Sequence, residues 1–591
     1  MAEENYAFSW DNPEYRKTYW HTCSHILAQA VKRLYPEVKL AIGPSIDNGF
    51  YYDMDSPVAF TPEIMEKIEE EMRKICKEKL PLERFVLPRP EAIKYMQDKG
   101  EPYKVELIQD LPEGEEISFY TQGEFTDLCA GPHVDSTGRI KPNAIKLTAC
   151  NAAYWRGDSS RETLQRIYGI AFPKKEQLDE YLVKLEEAKA RDHRKLGKEL
   201  GLFMVDDLVG KGMPMFLPKG YTVWRILENY IRDKEIKSGY QHVLTPCVGT
   251  VNLYKTSGHW EHYQQNMFPP MEVEDETYVL RPMNCPHHMR IFANSQHSYR
   301  NMPVRIGEIA HDFRFEASGS LKGIERGRHF CQNDAHLFVT PEQIKDEFSK
   351  VVDMIFDTYK DFNITNYRCV LSLRDPADKK KYHDDDKMWD TAENALREVL
   401  NGLGLQYTEE IGEAAFYGPK LDVNVVPAVG AEYTLSTCQL DFCLPAKFNL
   451  TYVDAEGVER TPVVLHRAIL GSLDRFMAYL IEETKGAFPA WLAPVQVKLL
   501  PVTDRANEYC EKFADKLESL GFRVETDERN EKIGKKIREA QLDKVPYMVI
   551  VGDRDIENNT VSPRHRADGD LGAMSKDAFT ALLAEKVVSK A

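Results

Sequence analysis

The spacing of hydrophobic residues divides the chain into three segments. Between Glu176 and Glu199 most positions are charged, and the apolar residues form one narrow stripe at helical spacing. The stripe consists of Leu178, Tyr181, Leu182, Leu185 and Ala188. This pattern predicts a connecting helix over residues 176–200, which separates an N-terminal domain at 1–175 from the rest of the chain.

The segment after Gly201 predicts a large central domain. The letters TVWRILENYIRDKEIK repeat their apolar residues at helical spacing, and GYQHVLTP then reads as a strand that ends at Pro246. Any α/β protein contains a unit of this kind, so alone it indicates only where the domain starts. We place the central domain at 201–492.

The last segment alternates between strand and helix patterns. PVQVKLLPVTD, GFRVETD and VPYMVIVGD read as buried strands, and helical patterns lie between them, the first over 505–520. This alternation predicts a small sheet of mostly parallel strands covered by helices. It forms a separate domain at 493–591.

Length and composition narrow the class of protein. A chain of 591 residues is too long for one hydrophobic core, so three or four domains are expected. The N-terminal letters MAEENYAFSWDNPEYRK lack the basic start and apolar core of a signal peptide, and no apolar run reaches bilayer length. Eleven cysteines without a paired framework suit a reducing compartment. We therefore expect a cytoplasmic protein with no membrane partner.

The charge of the chain restricts how it can bind nucleic acid. A formal net charge of -17 argues against bulk, charge-driven binding, because an acidic surface repels phosphate. A nucleic-acid partner would need a local basic patch, and one candidate is a predicted helix near the C-terminus together with a later cluster. These basic residues are Lys532, Lys535, Lys536 and Arg538, then Arg564 and Arg566. A solvated helix face explains such a run about as well.

Candidate chemistry begins in the run FRFEASGSLKGIERGRHFCQNDAHLF, from Phe313 to Phe338. Its first part carries arginines and an acid on an apolar-alternating strand, and a Gly/Ser-rich turn follows. The second part predicts a strand on which four residues share one face: Arg326, Arg328, Phe330 and Gln332. The run therefore predicts a hairpin that places phosphate-binding cations beside an aromatic platform.

A second run, LHRAILGSLDR, reads as part of the same nucleotide site. Arg475 lies at helical spacing from Ala468, Gly471 and Ser472. The pattern predicts a helix whose small-residue face approaches a ligand closely while the guanidinium of Arg475 reaches a triphosphate.

The N-terminal domain contains a cluster of histidine and cysteine. HTCSH places His21 and His25 at i and i+4 on one helix face, and CAGPH places Cys129 and His133 on a turn. Four such groups could bind zinc or could form a metal-free hydrolytic cluster. The spacing alone mildly favours the metal.

The two runs resemble motifs 2 and 3 of class II aminoacyl-tRNA synthetases, and the letters around them resemble the threonyl-tRNA synthetase family in particular. The resemblance implies a multidomain α+β and α/β fold. It assigns an editing domain to 1–175, a class II catalytic domain built on an antiparallel sheet to 201–492, and an α/β anticodon-binding domain to 493–591. The helix and strand before Pro246 resemble motif 1, which builds the homodimer interface in that family.

The implied activity is ATP-dependent ligation of L-threonine to tRNA(Thr) through a threonyl-adenylate, with Mg²⁺ accompanying ATP. The site must neutralise two anions while a carboxylate attacks the α-phosphate, and arginines suit that task. The resemblance assigns the α-phosphate and the amino-acid carboxylate to Arg314, adenine to Glu316 and Phe330, and the outer phosphates to Arg326, Arg475 and Lys420.

The resemblance also implies one catalytic Zn²⁺ per subunit. The letters NCP, NDAH and LHRA match the places where the family supplies zinc ligands, here Cys285, His336 and His466. Two imidazoles and a thiolate leave a tetrahedral zinc with an open position. A metal that binds the amino group and hydroxyl of threonine rejects valine, whose shape is nearly the same.

Other residues are expected to line the amino-acid pocket. Asp334 takes the ammonium group of the substrate, and the walls come from Gln332, Tyr417, Thr437 and Gln439. Four nearby positions depart from the family pattern: Cys331, Thr434, Ser436 and Cys438.

The resemblance gives the N-terminal cluster a role in proofreading. Serine lacks only one methyl group of threonine, so binding alone discriminates by about 1–3 kcal/mol and a second site is needed. In this family such a cluster hydrolyses seryl-tRNA without an essential metal, with Lys104 and Asp127 beside the four residues named above.

Four C-terminal residues resemble anticodon-facing positions: Arg529, Asn530, Glu557 and Arg566. Two rival readings remain. A catalytically silent paralogue that senses tRNA or threonine would lose Arg314, Arg475 or a zinc ligand, and all are present. A synthetase for serine or proline is disfavoured by the Cys/His/His set and by HTCSH.

Overall fold

The computed structural model describes residues 9–158, 160–427 and 430–590. The first eight residues of the acidic N-terminal segment therefore lie outside the described part of the chain. The chain forms two compact units, 1–186 and 187–591. None of the helices in the described ranges combines the length and apolar character needed to cross a bilayer.

The N-terminal unit contains two antiparallel sheets. Its helices are α1 (Pro13–Leu34), α2 (Pro62–Glu78), α3 (Arg89–Asp98) and α4 (Pro102–Asp110). Its strands are β1 (Lys39–Leu40), β2 (Ser45–Ile46), β3 (Gly49–Asp55), β4 (Leu82–Val86), β5 (Ser118–Gln122), β6 (Phe125–Leu128), β7 (Ile145–Tyr154) and β8 (Thr163–Ala171). One sheet has the order β1-β3-β8-β7 with β2 beside β3, and the other has the order β4-β5-β6. Asn12 caps α1 by accepting a hydrogen bond from the Glu14 amide, and residues along α1 pack into the unit's core.

The connecting segment forms two helices, so the prediction of one continuous helix over 176–200 is wrong. They are α5 (Lys175–Arg191) and α6 (His193–Glu199). The Asp192 side chain accepts a hydrogen bond from the Arg194 amide, which starts a new helix at this point. The predicted apolar stripe still faces a core, with Leu178 buried and Tyr181 partly buried.

The second unit contains a large central sheet. Its first helices are α7 (Pro218–Lys237), α8 (Val251–Ser257), α9 (His259–His262), α10 (Cys285–Ala293), α11 (Ile344–Asp361), α12 (Asp386–Gly402), α13 (Cys443–Lys447) and α14 (Leu473–Thr484). Its strands run from β9 to β23: β9 (Phe203–Met204), β10 (Met215–Phe216), β11 (Gln241–His242), β12 (Val248–Thr250), β13 (Met271–Val273), β14 (Glu276–Leu280), β15 (Val304–Phe313), β16 (His329–Val339), β17 (Tyr367–Leu373), β18 (Thr408–Ile411), β19 (Lys420–Val425), β20 (Tyr433–Asp441), β21 (Tyr452–Val453), β22 (Glu459–Arg460) and β23 (Val463–Ser472).

The order of the central sheet brings distant segments together. Eight strands lie in the order β11-β15-β16-β23-β20-β19-β17-β18, and the pairs between β15 and β17 along this order are antiparallel. The large antiparallel sheet expected for the central domain is therefore present. The helix predicted before Pro246 is α7, but the strand after it, β11, ends at His242 rather than at the proline.

The predicted hairpin is present, with shorter strands than expected. The strand β15 ends at Phe313 and β16 begins opposite it at His329, so Arg314, Arg326 and Arg328 all lie in the connection. The prediction that Arg326 and Arg328 lie on a strand is wrong. Their backbone leaves the ladder because Arg326 closes a turn with Lys322 and the Arg328 amide donates to Gly212 O at 2.7 Å.

The second motif was assigned the wrong secondary structure. Ala468 and Gly471 lie on β23, and Arg475 lies in the first turn of α14. The run VVLHRAIL is buried on both faces, and a short apolar run of this kind has no periodicity that separates strand from helix. Gly471 has φ +62, and a Cβ there would lie 2.3 Å from Leu435 O, so only glycine fits this bend.

The C-terminal part of the second unit has its own sheet. Its helices are α15 (Asn507–Ser519), α16 (Ile533–Leu542), α17 (Asp553–Asn558) and α18 (Lys576–Val588). Its strands are β24 (Val497–Pro501), β25 (Val524–Thr526), β26 (Tyr547–Val551), β27 (Thr560–His565), β28 (Gly569–Asp570) and β29 (Met574–Ser575). β24 pairs in parallel with β25 and β26, whereas β27, β28 and β29 add antiparallel pairs. The prediction of mostly parallel strands therefore holds for the first three.

Candidate active sites

A cavity of about 340 Å³ opens on one face of the central sheet. Strand alternation explains how β16 contributes to it, because residues two apart point to the same face. The cavity contains every residue that the sequence assigned to the synthesis site: Cys285, Arg314, Glu316, Arg326, Phe330, Gln332, Asp334, His336, Tyr417, Lys420, Thr437, Gln439, His466 and Arg475.

One end of the cavity is rich in arginine. The Arg314 guanidinium lies 5.0 Å from the ring centre of Phe330. Arg475 donates to Glu325 O at 3.2 Å and to Thr434 O at 3.4 Å. Burial, and then the charge of Arg314, lower the pKa of Arg475. An anion placed between these guanidinium groups would be strongly stabilised.

The acidic groups near this end of the cavity are of two kinds: one is paired with an arginine, and the others are buried and have raised pKa values. Glu316 is paired with Arg326, with Oε2 and Nε 3.6 Å apart. Burial raises the pKa of Asp312 to about 7, and burial with the charge of Asp312 raises the pKa of Asp334 well above its usual value. A bound cation beside Asp334 would favour its ionised form.

The pocket wall on β19 and β20 is linked by a carboxylate that the sequence analysis missed. Asp422 accepts a hydrogen bond from Thr437 Oγ1 at 2.8 Å and is paired with the ammonium group of Lys420. Gln439 Nε2 donates to Gly418 O at 2.9 Å. Lys420 and Thr437 are therefore held together by one acid, whose position two residues after the lysine carried no motif.

The three predicted metal ligands converge. Cys285 is the first residue of α10, while His336 and His466 are direct partners on β16 and β23. Their ligand atoms all lie within 4.8 Å of one another. His336 Nε2 is buried and has no hydrogen-bond partner among the described residues. One thiol and two imidazoles are a donor set that zinc prefers, and the unpartnered nitrogen fits a metal at this point.

Further buried side chains contact these ligands. His466 Nε2 lies 2.8 Å from Asp441 Oδ2, and Cys285 Sγ lies 3.6 Å from His259 Nε2. His336 Nδ1 lies 2.8 Å from His288 Nδ1. The sequence analysis missed all three neighbours, although His288 follows the NCP letters and Asp441 ends TCQLD.

One of these neighbours continues to a buried acid. His288 Nε2 lies 3.1 Å from Glu308 Oε2. Burial opposes ionisation of Glu308, but the hydrogen bond from His288 and the charge of Arg281 lower its pKa to about 2. Glu308 is therefore a carboxylate at neutral pH.

Another group of possible ligands lies on the opposite face of the hairpin. Cys331 Sγ is 3.2 Å from Nδ1 and 3.9 Å from Nε2 of the His311 ring. A sulfur at such similar distances from both nitrogens lies beside the ring face, whereas a metal would lie along a lone pair in the ring plane. His311 Nδ1 instead meets His329 Nε2 at 3.0 Å, as in a hydrogen bond.

The four departures from the family pattern lie mostly away from the cavity. Cys331 and Cys438 are buried in the core of the second unit, and Ser436 Oγ bonds to Ile469 O behind the sheet. Thr434 alone among the four lines the cavity. Its carbonyl contacts Arg475, so this departure concerns the phosphate end rather than the amino-acid end.

The N-terminal cluster also converges. The ligand-type atoms of His21, His25, Cys129 and His133 lie within 4.8 Å of one another. Cys129 Sγ is 3.3 Å from His21 Nε2 and 3.2 Å from His133 Nε2. Burial raises the pKa of Cys129 to about 12, so the sulfur is a neutral thiol in the absence of a metal. The arrangement leaves both a zinc site and a metal-free cluster open.

A buried ion pair lies beside this cluster. Lys104 Nζ is 2.7 Å from Asp127 Oδ1 and donates to Tyr52 OH at 2.9 Å. The Tyr52 hydroxyl also bonds to Asp127, and His25 Nε2 lies 3.9 Å from the same carboxylate. The two charges satisfy each other away from water. Tyr52 is a further residue that sequence reasoning missed, since GFYYD carries no distinguishing spacing.

The four predicted anticodon residues differ in their surroundings. Arg529 and Asn530 are exposed at the start of a small cavity, and Arg529 pairs with Asp527 at 2.6 Å. Glu557 is exposed on α17. Arg566 donates to Lys544 O at 2.7 Å, Ala487 O at 2.7 Å and Phe488 O at 2.6 Å.

The basic patch is smaller than the sequence indicated. Lys536 is buried and donates to Pro501 O at 3.1 Å and Asp527 O at 2.8 Å. Together with the engaged guanidinium of Arg566, this leaves fewer free cations on the C-terminal surface than the run of letters suggests. The engaged groups hold the fold of this domain instead.

Comparison with known proteins matches three regions of the chain. Residues 268–484 match the tRNA synthetase class II core domain (G, H, P, S and T), residues 496–586 match the anticodon binding domain, and residues 117–168 match the threonyl and alanyl tRNA synthetase second additional domain.

Similar proteins cover nearly the whole chain. A threonine–tRNA ligase of Geobacillus sp. (strain WCH70) is 57% identical over 578 residues, which is 98% of this chain and 89% of that protein. Threonine–tRNA ligase 1 of Bacillus subtilis (strain 168) is 53% identical over 560 residues, 95% of this chain and 87% of that protein. The crystal structure of the RNA binding domain of threonyl-tRNA synthetase from Cryptosporidium parvum Iowa II is 36% identical with a TM-score of 0.64, covering 67% of this chain and 98% of that chain.

Proposed function

The chain belongs to the threonine–tRNA ligase family of class II synthetases, and we propose that it joins L-threonine to tRNA(Thr) at a zinc-containing site in the central sheet. One observation carries the proposal. Cys285, His336 and His466 converge in the same cavity as Arg314 and Arg475, so a metal that binds a small amino acid and cations that bind a triphosphate share one space.

The first step forms threonyl-adenylate. A carboxylate oxygen of threonine attacks the α-phosphorus of ATP, the bond to the β-phosphate oxygen breaks, and pyrophosphate leaves with Mg²⁺. Arg314, held against Phe330, neutralises the attacking carboxylate and the α-phosphate. Arg326 and Arg475 hold the outer phosphates, with Lys420 nearby.

Glu316 and Phe330 hold the adenine. Because Glu316 pairs with Arg326 in the free protein, ATP would exchange this ion pair for two new contacts. The guanidinium turns to phosphate, and the carboxylate accepts from the adenine amino group. Phe330 supplies an aromatic face for stacking.

Zinc held by Cys285, His336 and His466 would supply an open coordination position that accepts an amino group and a hydroxyl but gains nothing from a methyl group. Asp334 binds the ammonium group of threonine. Burial raises the pKa of Asp334 in the free protein, and the positive charge of the substrate would lower it again. Gln332, Tyr417, Thr437 and Gln439 form the remaining walls.

The N-terminal domain removes serine that escapes this selection. Seryl-tRNA enters the cluster of His21, His25, Cys129 and His133, and a water molecule attacks the ester carbonyl. The bond from the carbonyl carbon to the ribose oxygen then breaks, the ribose oxygen takes up a proton, and serine and the free tRNA leave. Neutral imidazoles accept the proton of that water, since burial lowers the pKa of His21 and His133. The ion pair of Lys104 and Asp127 lies beside the cluster, with the Asp127 carboxylate 3.9 Å from His25 Nε2. We propose that this site works without a metal.

Partner binding completes the proposal. Asn530, Arg529 and Glu557 face the anticodon loop, whereas the bonds of Arg566 assign it to holding the domain. The protein forms a homodimer through the motif 1 segment. Two apolar side chains of that segment are exposed, Leu244 at 87% and Ile236 on α7 at 59%, and such side chains suit a protein interface. The eleven described cysteines are free thiols, which suits work in the cytoplasm.

Exchange of labelled pyrophosphate into ATP tests the synthesis site directly. Threonine should support strong exchange, serine weaker exchange, and valine almost none. Elemental analysis of the unmodified protein should find about one zinc per subunit. Equal exchange with valine and threonine would contradict a metal that senses the hydroxyl. Binding of threonine without any exchange would indicate a sensor rather than an enzyme.

A further inference from the structure

A chain of three buried side chains runs from the proposed metal site into the protein. His336 Nδ1 lies 2.8 Å from His288 Nδ1, and His288 Nε2 lies 3.1 Å from Glu308 Oε2. His336 and His288 are completely buried and Glu308 is 1% exposed, so water does not reach these contacts. Each contact is short enough for a hydrogen bond and therefore needs one proton.

The positions of these protons follow from the acid. An ionised carboxylate can only accept hydrogen bonds, so His288 Nε2 must carry a proton toward Glu308. A neutral imidazole carries one proton, which leaves His288 Nδ1 with a lone pair. His336 Nδ1, facing that lone pair, must then donate. The remaining nitrogen, His336 Nε2, is left with a lone pair and is the buried atom without a hydrogen-bond partner.

Other arrangements of protons leave a repulsive contact or remove the lone pair of His336 Nε2. A protonated His288 would donate from Nδ1 to His336, whose own proton would then lie on Nε2, the nitrogen that a metal needs free. The opposite tautomer of His288 would place a lone pair against the carboxylate. Asn284 Nδ2 lies 3.4 Å from His288 Nε2, but it donates to the same Glu308 oxygen at 3.2 Å and so does not need that nitrogen.

Glu308 itself is firmly held. Its carboxylate accepts from the Thr245 amide at 2.8 Å and from Thr245 Oγ1 at 2.9 Å, and Arg281 lies 3.5 Å away. Thr245 precedes Pro246, and Glu308 lies on β15. The acid is thus fixed by two separate segments of the central domain, and it has little freedom to follow a change in His288.

From this geometry we propose that Glu308 and His288 are positioning residues that decide which nitrogen of His336 bears the proton and so prepare Nε2 to bind the metal. The inference rests on the proposed zinc site and deepens it. Neither residue lines the cavity. Their effect should appear in metal affinity, because partners of ligating histidines typically contribute 10- to 100-fold to it.

Two substitutions of His288 separate the proton acceptor from the bond to Glu308. In His288→Asn the side-chain oxygen can occupy the place of Nδ1 and accept from His336. In His288→Gln the amide reaches the place of Nε2 and bonds to Glu308, but nothing accepts from His336. His297→Gln is the matched control, since His297 is a partly buried ring of the same domain outside the chain of contacts.

Zinc affinity, measured by competition with a chromophoric chelator, gives the readout, and thermal midpoints of the metal-free variants report folding. We expect His288→Gln to weaken zinc binding about 10- to 100-fold, while His288→Asn and His297→Gln stay within about threefold of the unmodified chain. Glu308→Gln should weaken binding too, because its amide can present an N–H to His288 Nε2 and favour the wrong tautomer.

Each outcome decides the matter. Equal loss in His288→Asn and His288→Gln would show that His288 matters only for packing, and no loss in either would remove the proposed role. If a His288 variant fails to fold, the zinc affinity of Glu308→Gln, compared with that of His297→Gln, tests the same role. Should the unmodified chain bind no zinc, the proposed function fails instead, which separates the two failures.

Discussion

His336 and His466 lie directly opposite each other on neighbouring antiparallel strands, with their ring centroids 4.5 Å apart. Opposed residues in a sheet are held close by the strand ladder itself. The two imidazoles are therefore in place before a metal arrives, and α10 brings Cys285 to them. A site built on strands and a helix start loses little freedom when it binds its ion.

Removing the thiol ligand should remove the metal. For Cys285→Ser we expect zinc to fall from about one per subunit to nearly none and threonine-dependent pyrophosphate exchange to fall at least about 100-fold. Elemental analysis and exchange assays on the same preparation measure both. Cys369→Ser, a buried cysteine in the core of the same unit, is the control and should keep its zinc. A second zinc that survives Cys285→Ser and disappears in Cys129→Ser would assign a metal to the editing cluster.

The guanidinium of Arg475 should matter most for ATP. Its loss leaves the phosphates without a buried charge-assisted bond, so Arg475→Ala should lower kcat/KM for ATP about 100- to 1,000-fold. Steady-state exchange kinetics at varied ATP measure this. The exposed Arg300 supplies the control, and Arg300→Ala should behave like the unmodified chain. An unchanged response to ATP in Arg475→Ala would contradict its assignment.

Loss of the editing cluster should separate the two activities. In the double variant His21→Ala, Cys129→Ala, seryl-tRNA should accumulate while threonylation persists, because the synthesis residues belong to a different unit. Acid-gel analysis of tRNA charged with serine or threonine distinguishes these products. Cys150→Ala, on β7 of the same unit, should clear serine normally. Normal serine clearance in the double variant would remove the editing assignment.

Asp474 should make the protein less stable at higher pH. Burial raises its pKa to about 7 from an ordinary value of 3.8. The folded-state pKa is the higher one, so its contribution to stability is complete below about pH 4 and is lost as the pH rises through 7.

Asp474→Asn should abolish this loss, since the amide oxygen can still accept from the Cys331 amide, which now bonds to Asp474 at 2.6 Å. Between pH 5 and pH 8 the variant should gain about 2 kcal/mol relative to the unmodified chain. Thermal midpoints across this range provide the measurement. Parallel curves for the two proteins would be the contrary result.

Two arginines of the C-terminal domain should respond differently to truncation. Arg566→Ala leaves three main-chain carbonyls without their donor, so it should destabilise the domain by about 1–3 kcal/mol. Arg529→Ala should lower the unfolding midpoint less, because this exposed guanidinium pairs with Asp527 and Glu539 at the surface, and it should weaken tRNA binding about tenfold. Chemical unfolding and filter binding of tRNA measure the two effects. If Arg566→Ala is as stable as the unmodified chain but binds tRNA more weakly, Arg566 contacts the anticodon and does not hold the fold.

The errors of the sequence analysis share one cause. LHRAILGS was assigned to a helix because Arg475, Ser472 and Gly471 have helical spacing, yet the run is a strand buried on both faces followed by the first helical turn. The connecting segment was assigned to one helix because its apolar stripe is continuous, while Asp192 caps a second helix. The spacing of hydrophobic residues does not show where tertiary contacts end one helix or strand and begin the next.

Local letters by themselves determined the arginine and aromatic hairpin and the His and Cys pairs of the N-terminal cluster, because those features depend on spacing within one helix, strand or turn. Only the tertiary structure decided that Arg566 serves the fold, that Asp422 links Lys420 to Thr437, and that Glu308 is connected to a metal ligand through His288. These partners lie up to tens of residues apart in the chain, and strand pairing and side-chain packing, which no single segment specifies, bring their atoms within hydrogen-bond distance.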